Sequence, residues 1–172
     1  MEMNPLEQYP HHKKILTNLF ERVDTEKEYT ILDAGSGKTS LYFLTTHFPH
    51  SVISAIVYPG DTRKIESIRR HVHASNFSLR ELDIQELEPE RSFDIVLAHL
   101  LLGEAAKFGG NTFENVLHAL FKIRTRYLVI VDVLDDPEVK YGMLLRSIAE
   151  TGTAEHVVSV EKYVGFLILK ER

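Results

Sequence analysis

The chain of 172 residues contains no cysteine and no tryptophan. Without cysteine there is no disulfide, no thiolate metal site and no cysteine nucleophile, and a reducing compartment is allowed. No apolar run approaches the ~18 residues of a membrane span. The N-terminal stretch MEMNPLEQYPHHKK lacks the apolar segment that secretion uses. These absences lead to the expectation of a cytoplasmic protein with no membrane partner. An excess of positive charge is missing too: 25 acids face 20 bases, a formal net charge of -5. Bulk electrostatics therefore opposes non-specific nucleic-acid binding. The basic runs Lys13-Lys14, Arg69-Arg70 and Lys122 to Arg126 are short, and no aromatic residues interleave them as a single-strand platform requires.

Metal-ligand spacing is also lacking. The histidine pairs His11-His12, His47/His50 and His71/His73 include no i, i+4 arrangement with a third ligand, so no metal site is expected and most of these histidines read as surface residues. No repeat, low-complexity tract or linker divides the chain. A single domain over residues 1–172 is expected, with an N-terminal helical segment (1–28) and an α/β core (29–172).

What is present is an alternation of two periods. Ile15, Leu16, Leu19, Phe20 and Val23 recur at helical spacing and predict a helix from about Pro5 to Val23. YTILDAG is a short apolar run ending at glycine, a buried strand. A helix follows Gly37, weakened by Thr45 and Thr46. SVISAIVY, NFSLRELD, FDIVLAHLLL and RYLVIVD read as further strands, with helical periodicity at Ile65, Ile68 and Val72, then at Phe113, Val116, Leu117, Leu120 and Phe121, and after Pro137 at Met143, Leu144, Leu145 and Ile148. EHVVSV and YVGFLILK, separated by Glu161-Lys162, read as a hairpin. Continuously apolar strands need both sheet faces covered. The expected fold is therefore a doubly wound, mostly parallel, seven-stranded α/β sheet with a C-terminal antiparallel hairpin. Ligands bind such sheets beyond the carboxyl ends of the strands, at the switch point. ILDAGSGKTS lies at the end of the first strand.

Three ligands compete for that glycine turn. A triphosphate loop reads G-x-x-x-x-G-K-[ST]. Counting back from Gly37-Lys38-Thr39 puts its first glycine at Leu32, and Asp33 would stand against the phosphates. A dinucleotide fingerprint, G-x-G-x-x-G, matches Gly35 and Gly37 but meets Ser40 at its third glycine, again with Asp33 beside a pyrophosphate. S-adenosylmethionine carries a sulfonium and an ammonium and no phosphate, so it suits a strand-end carboxylate. Glycines at 35 and 37 would let the backbone approach it closely.

The arrangement Asp33-Ala34-Gly35-Ser36-Gly37 resembles the D-x-G-x-G motif of the class I S-adenosylmethionine-dependent methyltransferases. The likeness runs from about Tyr29 to the C-terminus as a strand and helix order ending in a hairpin. A second match lies in LDIQELEPERSFDIVLAH, at Asp83, Ile84, Phe93 and Asp94. The resemblance implies a Rossmann-like methyltransferase fold and S-adenosylmethionine as cofactor. It implies that residues 33–37 cradle the methionine part, that Asp83 accepts from the adenine amino group, and that Ile84 packs on the adenine ring. The family departs from this chain at the second strand's end. Its ribose-gripping acid, about twenty residues after the glycine loop, falls here on Val57, followed by Tyr58, and Asp61 comes only at the next helix start. The family's acceptor site lies past the fourth strand, here AHLLLGEAAKFGG, with His99 at the strand end and Glu104 in the following loop. His99 is a candidate for base, acceptor contact or cofactor rim. The Asn/Asp-Pro-Pro-aromatic motif of methyltransferases acting on planar amide or amino nitrogens is missing. The acceptor, whether small molecule, protein or RNA, is left open. It would be met by the N-terminal helix and the loops at Leu101 to Asn111 and Asp132 to Pro137. The substitution at Val57 keeps a second expectation alive, a catalytically inactive methyltransferase-like binding module.

Overall fold

A computed structural model describes residues 2–133 and 139–171. Pro137 and most of the expected loop from Asp132 to Pro137 lie outside the described residues. Seven strands form one sheet in the order β3-β2-β1-β4-β5-β7-β6. They are β1 (Thr30–Ala34), β2 (Val52–Val57), β3 (Phe77–Glu81), β4 (Ser92–His99), β5 (Arg124–Val133), β6 (Gly152–Val160) and β7 (Tyr163–Lys170). Strands β1 to β5 pair in parallel, whereas β7 runs antiparallel to both β5 and β6. The mostly parallel sheet with its terminal hairpin is the expected one.

Burial explains the order. The central strands β1, β4 and β5 are buried on both faces over most of their length, whereas the edge strands β3 and β6 are largely exposed. Alternate residues feed two cores. Leu32, Val96 and Ile130 face the helices α5 (Leu101–Lys107), α6 (Thr112–Lys122) and α7 (Tyr141–Thr151), while Ile31, Ile95 and Val129 face α1 (Pro5–Gln8), α2 (Pro10–Leu19), α3 (Lys38–His47) and α4 (Thr62–His71).

Two elements differ from expectation. The N-terminal helix is broken in two at Tyr9, because Pro10 has no N–H to donate and pushes the residue before it out of helical geometry (Tyr9 φ -126, ψ 73). The break turns α2 so that it packs on β6 and β7. The segment after β4 is a helix, α5, rather than a loop. Leu100 makes the turn with φ 60, and the Gly103 N–H donates to the buried Asp132 carboxylate at 3.0 Å.

Candidate functional site

β1 lies between β2 and β4, where the chain's crossovers diverge, so the carboxyl ends of β1 and β4 open the expected crevice. The glycine turn fills its floor. Gly35 has φ 71, a conformation that costs a side chain dearly, and a Cβ there would stand 2.7 Å from Leu101 Cδ1. The Ser36 N–H donates to Ile56 O at 2.7 Å, and Gly37 caps α3.

Asp33 sits beneath this turn and is fully buried. Its Oδ2 accepts from the Ser36 hydroxyl at 2.6 Å and the Ser40 hydroxyl at 2.9 Å. Its Oδ1 is buried without a hydrogen-bond partner among the described residues. Burial pushes the carboxyl up to about 6, with the two hydroxyls and Lys64 pulling the other way. Asp33 therefore braces the turn from below; it lines neither of the cavities above it.

The first cavity, about 510 Å³, opens beside Gly35. Tyr58, Asp61, Asp83 and Ile84 line one side, and Leu101, Glu104 and Phe108 the other. Three carboxylates (Asp61, Asp83, Glu104) thus face one ammonium, Lys64, which pairs with Glu104 at 2.6 Å. Asp83 Oδ1 accepts from the Gln85 N–H at 2.9 Å and so holds the single 3-10 turn Ile84–Glu86 that presents Ile84. Asp61 caps α4 through the Lys64 N–H at 3.1 Å. At the mouth, the exposed rings of Tyr58 and Phe108 lie 5.8 Å apart.

A second cavity, about 420 Å³, shares Gly35, Lys64 and Glu104 with the first and extends to Gly37, Lys38, Tyr9 and Tyr163. His12 from α2 and His99 from the end of β4 line it, and His12 Nδ1 lies 2.6 Å from His99 Nε2. Burial, with His11 and Lys162 nearby, lowers His12 to about 4. Burial, with His12 and Lys64, lowers His99 to about 3. Both rings are neutral at pH 7, so one donates and the other accepts.

No family model matches the chain, and no curated protein matches it in sequence. Solved structures match its shape. The N-methyltransferase NodS from Bradyrhizobium japonicum, in complex with S-adenosyl-L-homocysteine, superposes with a TM-score of 0.72 at 16% identity, over 99% of this chain and 90% of NodS. The 16S rRNA methylase ArmA gives 0.62 at 15%, over 96% and 85%. An O-methyltransferase family protein from Burkholderia thailandensis gives 0.70 at 14%, over 96% and 56%. The fold is that of the class I S-adenosylmethionine-dependent methyltransferases.

Within this methyltransferase fold the sequence-derived residues fall into three groups. Gly35, Tyr58, Asp83 and Ile84 meet around the first cavity, and Gly37 and His99 around the second. Asp33, Ala34, Ser36 and Val57 are buried, and none of them lines either cavity. Val57 points into the core with Ile53 and Ile68, and its carbonyl accepts from the Leu82 N–H at 2.9 Å. Sequence reading missed His12, Lys38 and Lys64. For His12 a signal existed: residues 12, 15, 16 and 19 form one buried stripe of α2.

Proposed function

We propose that the chain is a methyltransferase that uses S-adenosylmethionine, with the nucleoside end of the cofactor in the first cavity. The observation that carries this reading is the charge on that cavity: three carboxylates against one ammonium, at the switch point of this fold. A pocket of that sign opposes phosphate-bearing ligands and favours a cationic nucleoside. The residues fit the ligand in kind. Asp61 takes the place of the missing ribose acid at the end of β2. Asp83 accepts from the adenine amino group, Ile84 packs on the ring, and Gly35 leaves room for close backbone approach. Asp33 acts through the turn it braces. Bound there, the cofactor supplies a methyl group activated by positive sulfur; the chain's own part is to orient it and keep water out.

The second reading is a binding module of the same fold without catalysis, favoured by the apolar Val57 where a ribose acid is expected. Thermal unfolding tests both against unrelated ligands. S-adenosylhomocysteine at about 100 times its Kd adds ~2.7 kcal/mol, which raises Tm by roughly 5–11 °C for a chain of this size. ATP and NADH at the same concentration should leave Tm unchanged. A shift with either of these and none with S-adenosylhomocysteine overturns the proposal. Cofactor binding without transfer to any acceptor favours the module.

A further inference from the structure

We propose that the buried Asp132 is a positioning residue for cofactor binding: through the Gly103 N–H it fixes α5, and with it the Glu104 carboxylate that faces the cofactor's positive sulfur. This rests on the reading that the first cavity holds S-adenosylmethionine.

Helix α5 has little of its own to hold it. It has seven residues, against the ~12–15 below which an isolated helix is marginal in water. Its N-cap, Leu100, offers no side-chain acceptor to the first-turn N–H groups and adopts φ 60, an uncommon conformation for a residue other than glycine. Gly103 stands in its interior and disfavours helix. The attachments come from the end of β5 instead. The Leu100 N–H donates to Val131 O at 2.8 Å, and the Gly103 N–H donates to Asp132 Oδ2 at 3.0 Å. Asp132 Oδ1 accepts from the Val133 N–H at 3.0 Å, which ties the carboxylate to its own strand. Leu102 and Ala105 are buried and hold the helix down on the core, but apolar packing is non-directional. The Gly103–Asp132 hydrogen bond is directional, so it sets the rotation of the helix about its axis.

Both partners of this contact are out of character for their elements. Leu128, Val129, Ile130 and Val131 are fully buried and apolar, and Asp132 follows them with 1% of its surface exposed. A buried carboxylate is costly unless it is hydrogen-bonded. On the helix side, a Cβ on Gly103 would stand 2.6 Å from Asp132 Oδ1 and 3.6 Å from its Cγ, so only glycine lets the backbone come this close.

The opposite side of α5 is the wall of the first cavity. Leu101, Glu104, Ala105 and the C-cap Phe108 recur at i, i+3, i+4 and i+7, and all four line it. Gly103 lies off that face, and Asp132 lines neither cavity. Asp132 therefore reaches a ligand only through the helix. Turning α5 by one residue, about 100°, would carry Glu104 out of the wall.

Glu104 is the group whose place matters most. Among the described residues it is the one acid that lines both cavities, whereas Asp61 and Asp83 line only the first. With the nucleoside in the first cavity and the methionine part on the Gly35–Gly37 turn, the sulfonium falls between them, where the two spaces meet. A carboxylate at that place favours the sulfonium over the neutral thioether of S-adenosylhomocysteine. The Lys64 ammonium, 2.6 Å from Glu104, acts in the opposite sense. The balance between them depends on where α5 holds the acid.

The test uses the full chain, with calorimetric Kd values for S-adenosylmethionine and S-adenosylhomocysteine and with Tm. Asp132→Asn keeps the shape, but its amide nitrogen cannot accept and leaves the Gly103 or the Val133 N–H without its partner. Affinity for S-adenosylmethionine should fall roughly tenfold. The ratio of the S-adenosylmethionine Kd to that of S-adenosylhomocysteine should rise about two- to fivefold, and Glu104→Gln should move it the same way. Gly103→Ala should act like Asp132→Asn, and the double variant should add little, because both break one contact. Ile148→Val is the control: Ile148 is buried in α7 and lines neither cavity, so Tm should fall with both Kd values unchanged. If Asp132→Asn fails to fold, amide exchange in the wild-type protein decides, and S-adenosylhomocysteine should slow exchange at Gly103 and Phe108 more than at the amides of α7. An unchanged Kd ratio in Asp132→Asn or in Glu104→Gln, or exchange at Gly103 that slows no more than in α7, overturns this inference and leaves the cofactor reading standing. Failure of S-adenosylhomocysteine itself to bind overturns the cofactor reading first.

Discussion

Lys64 on α4 and Glu104 on α5 meet at 2.6 Å, and both border the first and the second cavity. The pair belongs to the wall of both cavities and bears on the charge that a ligand meets in each. It is partly exposed, 27% and 44% for the two side chains, so its own stabilisation is ~0.2–1 kcal/mol. Its larger effect is on ligands. Lys64→Met leaves three carboxylates without a counter-ion and should favour the sulfonium S-adenosylmethionine over the neutral S-adenosylhomocysteine. A change in the ratio of their Kd values of roughly two- to fivefold is expected, from ~0.5–1 kcal/mol of altered charge interaction. An unchanged ratio would place the sulfonium elsewhere.

Asp61 carries two roles that substitution can separate. Its side chain caps α4, and it lines the first cavity. Serine also caps helices well, so Asp61→Ser should leave Tm nearly unchanged. Loss of a hydrogen bond to a charged group, ~1.5–3 kcal/mol, should nonetheless weaken cofactor binding roughly 10- to 150-fold. Equal affinity in the two proteins would remove Asp61 from the ribose.

The two glycines of the turn should respond differently. Gly35→Ala meets a positive φ and Leu101, and should cost about 1–3 kcal/mol of stability. Gly37 has extended backbone with φ -132, and a Cβ there would meet nothing within 4 Å. Gly37→Ala should cost no more than ~1 kcal/mol of stability, alanine being the poorer N-cap, yet lose about tenfold or more in cofactor affinity, because the methyl group occupies space the ligand needs. Full affinity in Gly37→Ala would reduce this glycine to a turn residue.

Stability should rise with pH through the weakly acidic range. Below 6.5 the unfolded chain protonates His12 and His99, but the folded chain resists down to about 4 and about 3. Between about pH 4 and 6.5 the unfolded state therefore binds more protons, and raising the pH stabilises the fold. Asp33 opposes this: its folded value is about 6 against 3.8, so between those values the folded state holds the extra proton. Two histidines outweigh one aspartate. Urea midpoints at pH 4.5, 5.5 and 7 should climb in the wild type, climb more steeply in Asp33→Asn, and flatten in His99→Gln. Identical slopes in all three would contradict the burial of these groups.

The order of strands and helices was legible because continuously apolar runs alternate with helical periodicity. Even the interior place of β7 has a signal, since VGFLIL is continuously apolar and largely buried while β6 is mostly exposed and buries only Val160. The split at Tyr9 follows from Pro10 and was overridden in reading by the apolar stripe beyond it. Helix α5 escaped because it is seven residues long and contains Gly103, whose N–H finds its partner in Asp132, 29 positions away. The same distance problem hid the site. His12 meets His99 across 87 residues, which no local pattern announces. At Val57 the sequence shows a missing acid, but only the fold shows that the side chain points into the core. A carboxylate introduced there would be buried without a partner.

The charge of the first cavity is the centre of the account, and calorimetric titration of the wild-type protein reads it directly. S-adenosylmethionine should bind with a Kd below about 1 mM, a free energy beyond about -4 kcal/mol, and Asp61→Ser should weaken that binding while ATP gives no heat with either protein. Heat from ATP, with none from S-adenosylmethionine at millimolar concentration, would contradict it.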